Sequence, residues 1–327
     1  MQEKIRWGIV GLGKIAGKFA QDLILVEDAE ITAVASRSID KANNFAKMNN
    51  AKHAFGSYLE LFESDVVDVI YIATPHTSHA ELSIQAMQHG KHVLCEKPAG
   101  VNTIEVQKMI AVARENKVFF MEALWSRFMP SIQNTIKMIA DGEIGAVSHL
   151  YSDFAFYALD RDLNGRVLNL KLAGGSLLDI GIYPIFMAYL ILGKPKRILA
   201  TSNFHSNGME KQTSMIFEYD NAQAVLYSGF TSNSETKTEI TGNNGSIILH
   251  SRWHETENCT VTKNGETEQI KSPKIGFGYA HEIHEVHQCL RNKKMESELW
   301  SHQNSLDLIE LLDKVREEAG IVFPFEA

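Results

Sequence analysis

Ile5-Arg6-Trp7-Gly8-Ile9-Val10-Gly11-Leu12-Gly13-Lys14-Ile15-Ala16 stands near the start of the chain and joins an apolar run, a glycine pair and an amphipathic segment. The apolar run predicts a strand over 5–10. Ile15, Phe19 and Leu23 recur at four-residue spacing and share one helix face. Between them, Gly11 permits a tight strand-to-helix turn, and Gly13 lets the backbone come close to a pyrophosphate. The small Ala16 allows close helix packing. The helix start at Lys14 and Ile15 offers unpaired N–H groups and a positive dipole end to phosphates. Such a glycine pattern is common in loops, but between a strand and an amphipathic helix it is a dinucleotide-binding fingerprint.

Outward from this stretch, apolar runs at 31–35, 69–73, 92–95 and 118–121 predict further strands. Helix-period segments at 41–48, 78–88 and 103–115 lie among them. Ser78-His79-Ala80-Glu81 reads as a capping box, and Gly90 as a left-handed helix stop. The alternation implies right-handed crossovers and a mostly parallel sheet. Near residue 122 the pattern changes. Pro130 opens a helix to Ala140, and a helical run spans 179–192. Strand-like alternation then dominates, with Asp220-Asn221, Asn244-Gly245 and Asn264-Gly265 as hairpin turns. Helices at 279–290 and roughly 303–319 close the chain, with Gly320 as a stop. The expected fold is α/β: a Rossmann domain over 1–121, then an α+β domain over 122–327 with a large, mostly antiparallel open sheet.

The 327 residues exceed a single hydrophobic core, in keeping with two domains. The net charge of −8 argues against a nucleic-acid partner. Cys95, Cys259 and Cys289 form an odd, widely spaced set, so neither a disulfide framework nor a cysteine zinc site is expected. The N-terminus lacks the apolar run of a signal peptide, and no later stretch is read as approaching eighteen apolar residues. The expectation is a cytoplasmic protein that does not span a membrane.

The end of the second strand bears on the cofactor. NAD enzymes place an acid there for the ribose hydroxyls. Here Ser36-Arg37-Ser38 follows, and Arg37 with the two hydroxyls suits a 2′-phosphate. NADP is therefore expected, with Asp40 keeping NAD open. Thr74-Pro75-His76 and Glu96-Lys97-Pro98 follow later strands at the carboxyl edge, where such sheets bind ligands. A lysine there is placed for acid–base work or for polarising a hydroxyl.

The G-x-G-x-x-A start, the A-T-P-x-x-x-H stretch at 73–79, Glu96-Lys97-Pro98 and Gly174-Gly175-Ser176-Leu177-Leu178-Asp179-Ile180-Gly181-Ile182-Tyr183 together resemble the Gfo/Idh/MocA oxidoreductases. The resemblance spans nearly the whole chain. It implies that Thr74, Pro75, His76, His79 and Glu96 serve the cofactor with the glycine loop, that Lys97 is the catalytic lysine, and that Asp179 lines the substrate pocket. Many members carry His where this chain has Tyr183. That departure, with Met121 to Pro130, makes it similar to the branch of dimeric dihydrodiol dehydrogenase and NADP-dependent D-xylose dehydrogenase. The branch implies a sugar or cyclic vicinal diol as substrate and a homodimer or higher homo-oligomer through the C-terminal sheet. Met215, Phe217 and Tyr219 are expected to face the partner sheet.

On this reading Tyr183 takes the substrate hydroxyl proton while Lys97 orients the hydroxyl and Asp179 fixes the sugar or diol. A phenol titrates near pH 10, so a neighbouring cation is needed for it to act near neutrality. Trp125, Arg127, Phe128 and Arg166 are further substrate candidates. No metal is expected: His281, Glu282, His284, Glu285 and His287 cluster in sequence, but an apolar stripe shares their helix. Two alternatives stay open, a non-catalytic dinucleotide-sensing regulator and a glycosidase that uses the nicotinamide transiently.

Overall fold

A computed structural model of the chain describes residues 3–326. Its contacts divide into two compact units. One gathers the residues through Phe128 together with Lys274–Leu306; the other gathers Met129–Pro273 and Asp307 onward.

The first unit is a six-stranded sheet, all of whose pairings are parallel. In chain order it runs β1 (Ile5–Val10), α1 (Lys14–Leu23), β2 (Ala29–Ala35), α2 (Ile39–Asn49), β3 (His53–Phe55), α3 (Tyr58–Glu63) and β4 (Val69–Ile72). It continues with α4 (His79–Gln88), β5 (His92–Glu96), α5 (Thr103–Asn116) and β6 (Phe120–Ala123). The order β3-β2-β1-β4-β5-β6 reverses direction between β1 and β4, so those carboxyl ends frame the switch point where such sheets bind ligands. The expected elements are present, and β3 and α3 are additional. The capping box at 78–81 is absent: Ser78 ends a 3₁₀ turn (His76–Ser78) that runs straight into α4, and its side chain makes no cap bond.

The second unit begins with α6 (Pro130–Ala140) and β7 (Val147–Ala155). A π-helical turn (Leu177–Gly181) leads into α7 (Ile182–Leu192), so the expected helix from 179 starts with a register change. Next come β8 (Arg197–Phe204), β9 (Glu210–Glu218), β10 (Gln223–Gly229), β11 (Thr238–Gly242), β12 (Gly245–Leu249), β13 (Asn258–Lys263) and β14 (Glu266–Lys271). Their eight-stranded sheet, β14-β13-β12-β11-β7-β10-β9-β8, is antiparallel except where β7 meets β10. At 264–265 both hairpin residues have positive φ, as an Asn-Gly turn requires.

Two expectations about this unit change. Within the 23-residue span Leu170–Leu192 an 18-residue window has a mean hydropathy of 1.7, a longer apolar stretch than the sequence reading recognised, and 78% of that window is buried inside the protein. Met215 and Phe217 are also buried, because α7 packs on the β7–β10 side of the sheet and takes up the apolar parity. The opposite parity is the open one. There Leu199, Ile216, Val225 and Tyr151 form one register row across β8, β9, β10 and β7, with Ile216 39% and Val225 37% exposed.

The expected boundary at 121/122 lies near the point where the chain leaves the first unit, after Phe128, but that unit also takes in a later segment. After β14 the chain returns to the first unit with α8 (Tyr279–Arg291) and the start of α9 (His302–Ala319). Asp22 of α1 accepts the Phe277 and Ala280 amides, and the Trp7 indole donates to His287 Nε2 at 3.0 Å. These buried bonds join α8 to the strand and helix that carry the glycine loop.

Candidate active site

Gly11 sits at φ +84°, and a Cβ there would come within 2.5 Å of the Ala73 carbonyl carbon. Only glycine fits the close passage of the β1 and β4 loops. A Cβ on Gly13 would meet only the Gly11 oxygen, at 3.9 Å, so local packing does not demand glycine there. The need lies with whatever approaches the loop. Helix caps point the same way. Ser38, Ser57 and Asn102 cap α2, α3 and α5 with their side chains, whereas α1 begins on Gly13 with no side-chain cap. Its first-turn N–H groups at Lys14 and Ile15 suit the phosphates of a dinucleotide.

At the end of β2, Ser36 is buried while Arg37 and Ser38 are exposed. Ser38 Oγ already accepts the Lys41 amide, so of the three it is Arg37 that offers a full set of donors. At the end of β4, Thr74 and Pro75 are half-buried and His76 is buried. His79 is completely buried, with Nδ1 2.7 Å from the Pro98 oxygen and Nε2 2.8 Å from the Thr74 oxygen. Both partners are acceptors, so the ring staples the loop after β4 to the loop after β5. His79 braces the two loops that the sequence reading gives to the cofactor.

Lys97 is half-buried at the end of β5 and precedes a cis peptide to Pro98. Its loop is held by two acids. Glu96 accepts the Lys97 amide at 3.2 Å and the Tyr71 hydroxyl. Glu122 accepts the Ala99 amide at 2.9 Å and the Trp300 indole at 3.1 Å. Burial pushes the Glu122 carboxyl upward, while those donors and the Lys97 charge pull it down. Trp125, Arg127 and Phe128 follow β6 in the same unit. Trp125 stacks on Tyr279 at 4.7 Å, and burial lowers the Arg127 guanidinium against the opposing Glu285 charge.

The second unit carries Arg166, Asp179 and Tyr183. Asp179 and Tyr183 are buried, and Asp179 pairs with the exposed Arg166 at 2.8 Å. The π-helical turn separates the two positions, so the simple four-residue face expected for a regular helix does not apply. Tyr183 has aromatic neighbours that sequence reading missed: His254 at 5.2 Å, Phe154 at 5.6 Å and Trp253 at 6.4 Å between ring centroids. Phe154 and His254 are themselves stacked at 4.4 Å. No motif surrounds these three residues. Within the HEIHEVH segment, His281 Nε2 accepts the Ile275 amide, and Glu282 and His287 are buried.

The described residues thus hold a glycine loop before a helix without a side-chain cap, a lysine at the carboxyl end of β5, and, in the second unit, a buried acid and tyrosine. Residues 5–124 match the oxidoreductase family with an NAD-binding Rossmann fold, and 132–248 match the GFO/IDH/MocA C-terminal domain. The chain belongs to the GFO/IDH/MocA family. It is 35% identical over 326 residues to scyllo-inositol 2-dehydrogenase (NADP(+)) IolU of Bacillus subtilis, covering 98% of each chain. It is 34% identical to trans-1,2-dihydrobenzene-1,2-diol dehydrogenase of Mus musculus, again covering 98% of each. Among solved structures, KijD10, a 3-ketoreductase from Actinomadura kijaniata in complex with NADP and TDP-benzene, aligns with a TM-score of 0.87 at 26% identity. That alignment covers 97% of this chain and 98% of the other. This GFO/IDH/MocA chain is thus an oxidoreductase with a dinucleotide-binding Rossmann unit.

Proposed function

We propose that the chain is an NADP(H)-dependent dehydrogenase or reductase acting on a carbinol or carbonyl of a sugar, inositol or cyclic vicinal diol. The observation that carries this reading is the Asp179–Tyr183 pair, buried on the π-turn and α7 with Phe154, His254 and Trp253 about the phenol. An acid and a hydroxyl in an aromatic frame suit a ring with polar edges and an apolar face. IolU and the diol dehydrogenases, named for such substrates, support it.

The nicotinamide, when bound, accepts or supplies the hydride. Lys97 donates a hydrogen bond to the reacting oxygen. Tyr183 takes the hydroxyl proton during oxidation and returns it during reduction. Asp179, held by Arg166, binds a neighbouring hydroxyl. Gly11, Gly13, Lys14 and Ile15 hold the pyrophosphate. Arg37 selects the 2′-phosphate, and the loops of Thr74, Pro75, His76, Glu96 and Lys97 border the nicotinamide half. Trp125, Arg127 and Phe128 complete the same end.

The reading is tested by following absorbance at 340 nm, a property of the reduced nicotinamide, across aldoses, inositols and trans-diols with each cofactor. Turnover with NADP that Lys97→Met abolishes is the expected result. Tight NADPH binding with no turnover would favour a regulator instead. Arg37→Ala should weaken NADPH by about 10–100-fold, the worth of one charged hydrogen-bonding partner, and leave NADH unchanged. Equal losses for both cofactors would remove Arg37 from the 2′-phosphate.

The register row of Leu199, Ile216, Val225 and Tyr151 supports a homodimer through the open sheet face. A monomeric mass at micromolar concentration would exclude it. Three buried free cysteines suit the reducing cytoplasm.

A further inference from the structure

Glu210 begins β9 and is 2% exposed, yet its carboxylate is fully engaged. Oε1 accepts Ser176 Oγ at 2.6 Å and Thr213 Oγ1 at 2.7 Å, and Oε2 accepts the Leu177 amide at 2.9 Å. Helix starts normally draw such an acceptor from their own N-cap residue. Here Ser176 occupies the N-cap position of the π-turn but makes no side-chain cap bond to it. Its hydroxyl is turned to Glu210, and a strand more than thirty residues along supplies the cap. The negative charge also lies at the end of the turn where the peptide dipoles favour it.

The other end of the turn is fixed as well. A Cβ on Gly181 would come within 2.8 Å of Ser228 Oγ, and that hydroxyl lies 2.9 Å from Ser176 Oγ. Gly175, at φ +139°, brings the incoming chain so close that a Cβ would lie 3.0 Å from Glu210 Oε2. Leu177–Gly181 is thus held at both ends against β9 and β10. A π-turn is rarer and less favourable than the α-helix it interrupts. Released from its anchors, it would slip toward α-helical register, and the residues before and after it would rotate relative to one another by about 100°, the angle of one helical residue. Asp179 lies within the turn and Tyr183 two residues beyond it.

We propose that Glu210 is a positioning residue for this oxidoreductase: it caps the π-turn from β9 and thereby fixes where Asp179 and Tyr183 present their polar atoms. The proposal rests on the reading of that pair as the substrate-binding and proton-transfer groups. Burial pushes the Glu210 carboxyl upward, and the Ser176, Thr213 and Leu177 donors pull it back. No charged side chain is needed to balance it.

Glu210→Met keeps the volume and removes both acceptors, whereas Glu210→Gln keeps one for the Leu177 amide. Two measurements are made on the full chain: steady-state kinetics with NADPH titration, and amide exchange over 175–184. In the Met variant kcat should fall at least about 30-fold with NADPH affinity within twofold of wild type, because the dinucleotide residues belong to the other unit. Exchange at 177–181 should quicken by about tenfold or more while α1 and α5 stay protected. The Gln variant should recover most of both properties. Wild-type kcat with unchanged exchange overturns the proposal, as does a loss shared equally by NADPH binding and all peptides. If the Met chain does not fold, Glu210→Asp carries the test, its carboxylate being one methylene too short to reach both the Ser176 hydroxyl and the Leu177 amide: exchange at 177–181 indistinguishable from wild type sinks the idea. If the wild-type enzyme turns over no polyol, the functional reading fails, and the exchange comparison still decides whether Glu210 holds the turn.

Discussion

Glu282 of α8 is completely buried, and neither carboxyl oxygen has a hydrogen-bond partner among the described residues. Burial, reinforced by the charges of Glu96 and Asp22, holds its carboxyl well above the usual range. The folded protein therefore keeps this proton at pH values where the unfolded chain has lost it. Stability contributed by the group is present below about pH 4.5 and declines as pH rises toward the folded-state value. Glu282→Gln removes that slope. Urea midpoints should show the variant more stable than wild type at pH 8–9, with the advantage vanishing near pH 4.5. A constant advantage across pH would mean that Glu282 is not the titrating group. Lys97, Asp179 and Tyr183 could be singled out from short motifs, since each stands beside glycine or proline spacing that is itself distinctive. Glu210 and Glu282 could not, because their significance lies in partners remote in sequence.

At the scale of the element, α8 is joined to the sheet by a polar chain. The Trp7 indole donates to His287 Nε2, so the ring proton sits on Nδ1, 3.0 Å from Asp28 Oδ1, and Arg291 also pairs with Asp28. Burial lowers the His287 pKa despite the opposing Asp28 charge. A histidine depressed in this way adds stability above its unfolded value near 6.5, and that stability is lost as pH falls. Asp28, itself lowered by His287 and Arg291, acts in a separate window below about pH 4. Denaturation midpoints should decline between pH 7 and 5 in wild type and decline less in His287→Gln. Parallel pH profiles would discount the histidine. Most of the elements of the first unit were legible because parallel strands read as apolar runs. The short β3 and α3 gave no such run. Alternation in β9 was legible too, but periodicity identifies two faces without saying which neighbour covers each. The apolar α7 decided that for Met215 and Phe217. The π-turn was hidden because nothing in Leu177–Gly181 distinguishes it from a helix start, and its partners Glu210 and Ser228 lie elsewhere in the chain.

For the whole molecule, the return of 274–306 matters most. A fragment ending at residue 121, the boundary expected from the change of pattern, lacks α8 and the residues just before it, and with them the partners of Trp7 and Asp22. It should aggregate and show no NADPH binding by fluorescence or scattering, whereas the full chain binds. A soluble, binding-competent fragment would show that the returning helix is dispensable. The same topology orders events during synthesis. The unit whose strands emerge first cannot close until its last helix leaves the ribosome, after about 145 intervening residues of the other unit. At roughly 5–20 residues per second, the buried faces of Trp7 and Asp22 wait about 13–56 s for their partners, 280 and 255 residues further along. The cofactor-binding unit is begun first and finished almost last, so chaperone dependence should centre on the growing chain's first third.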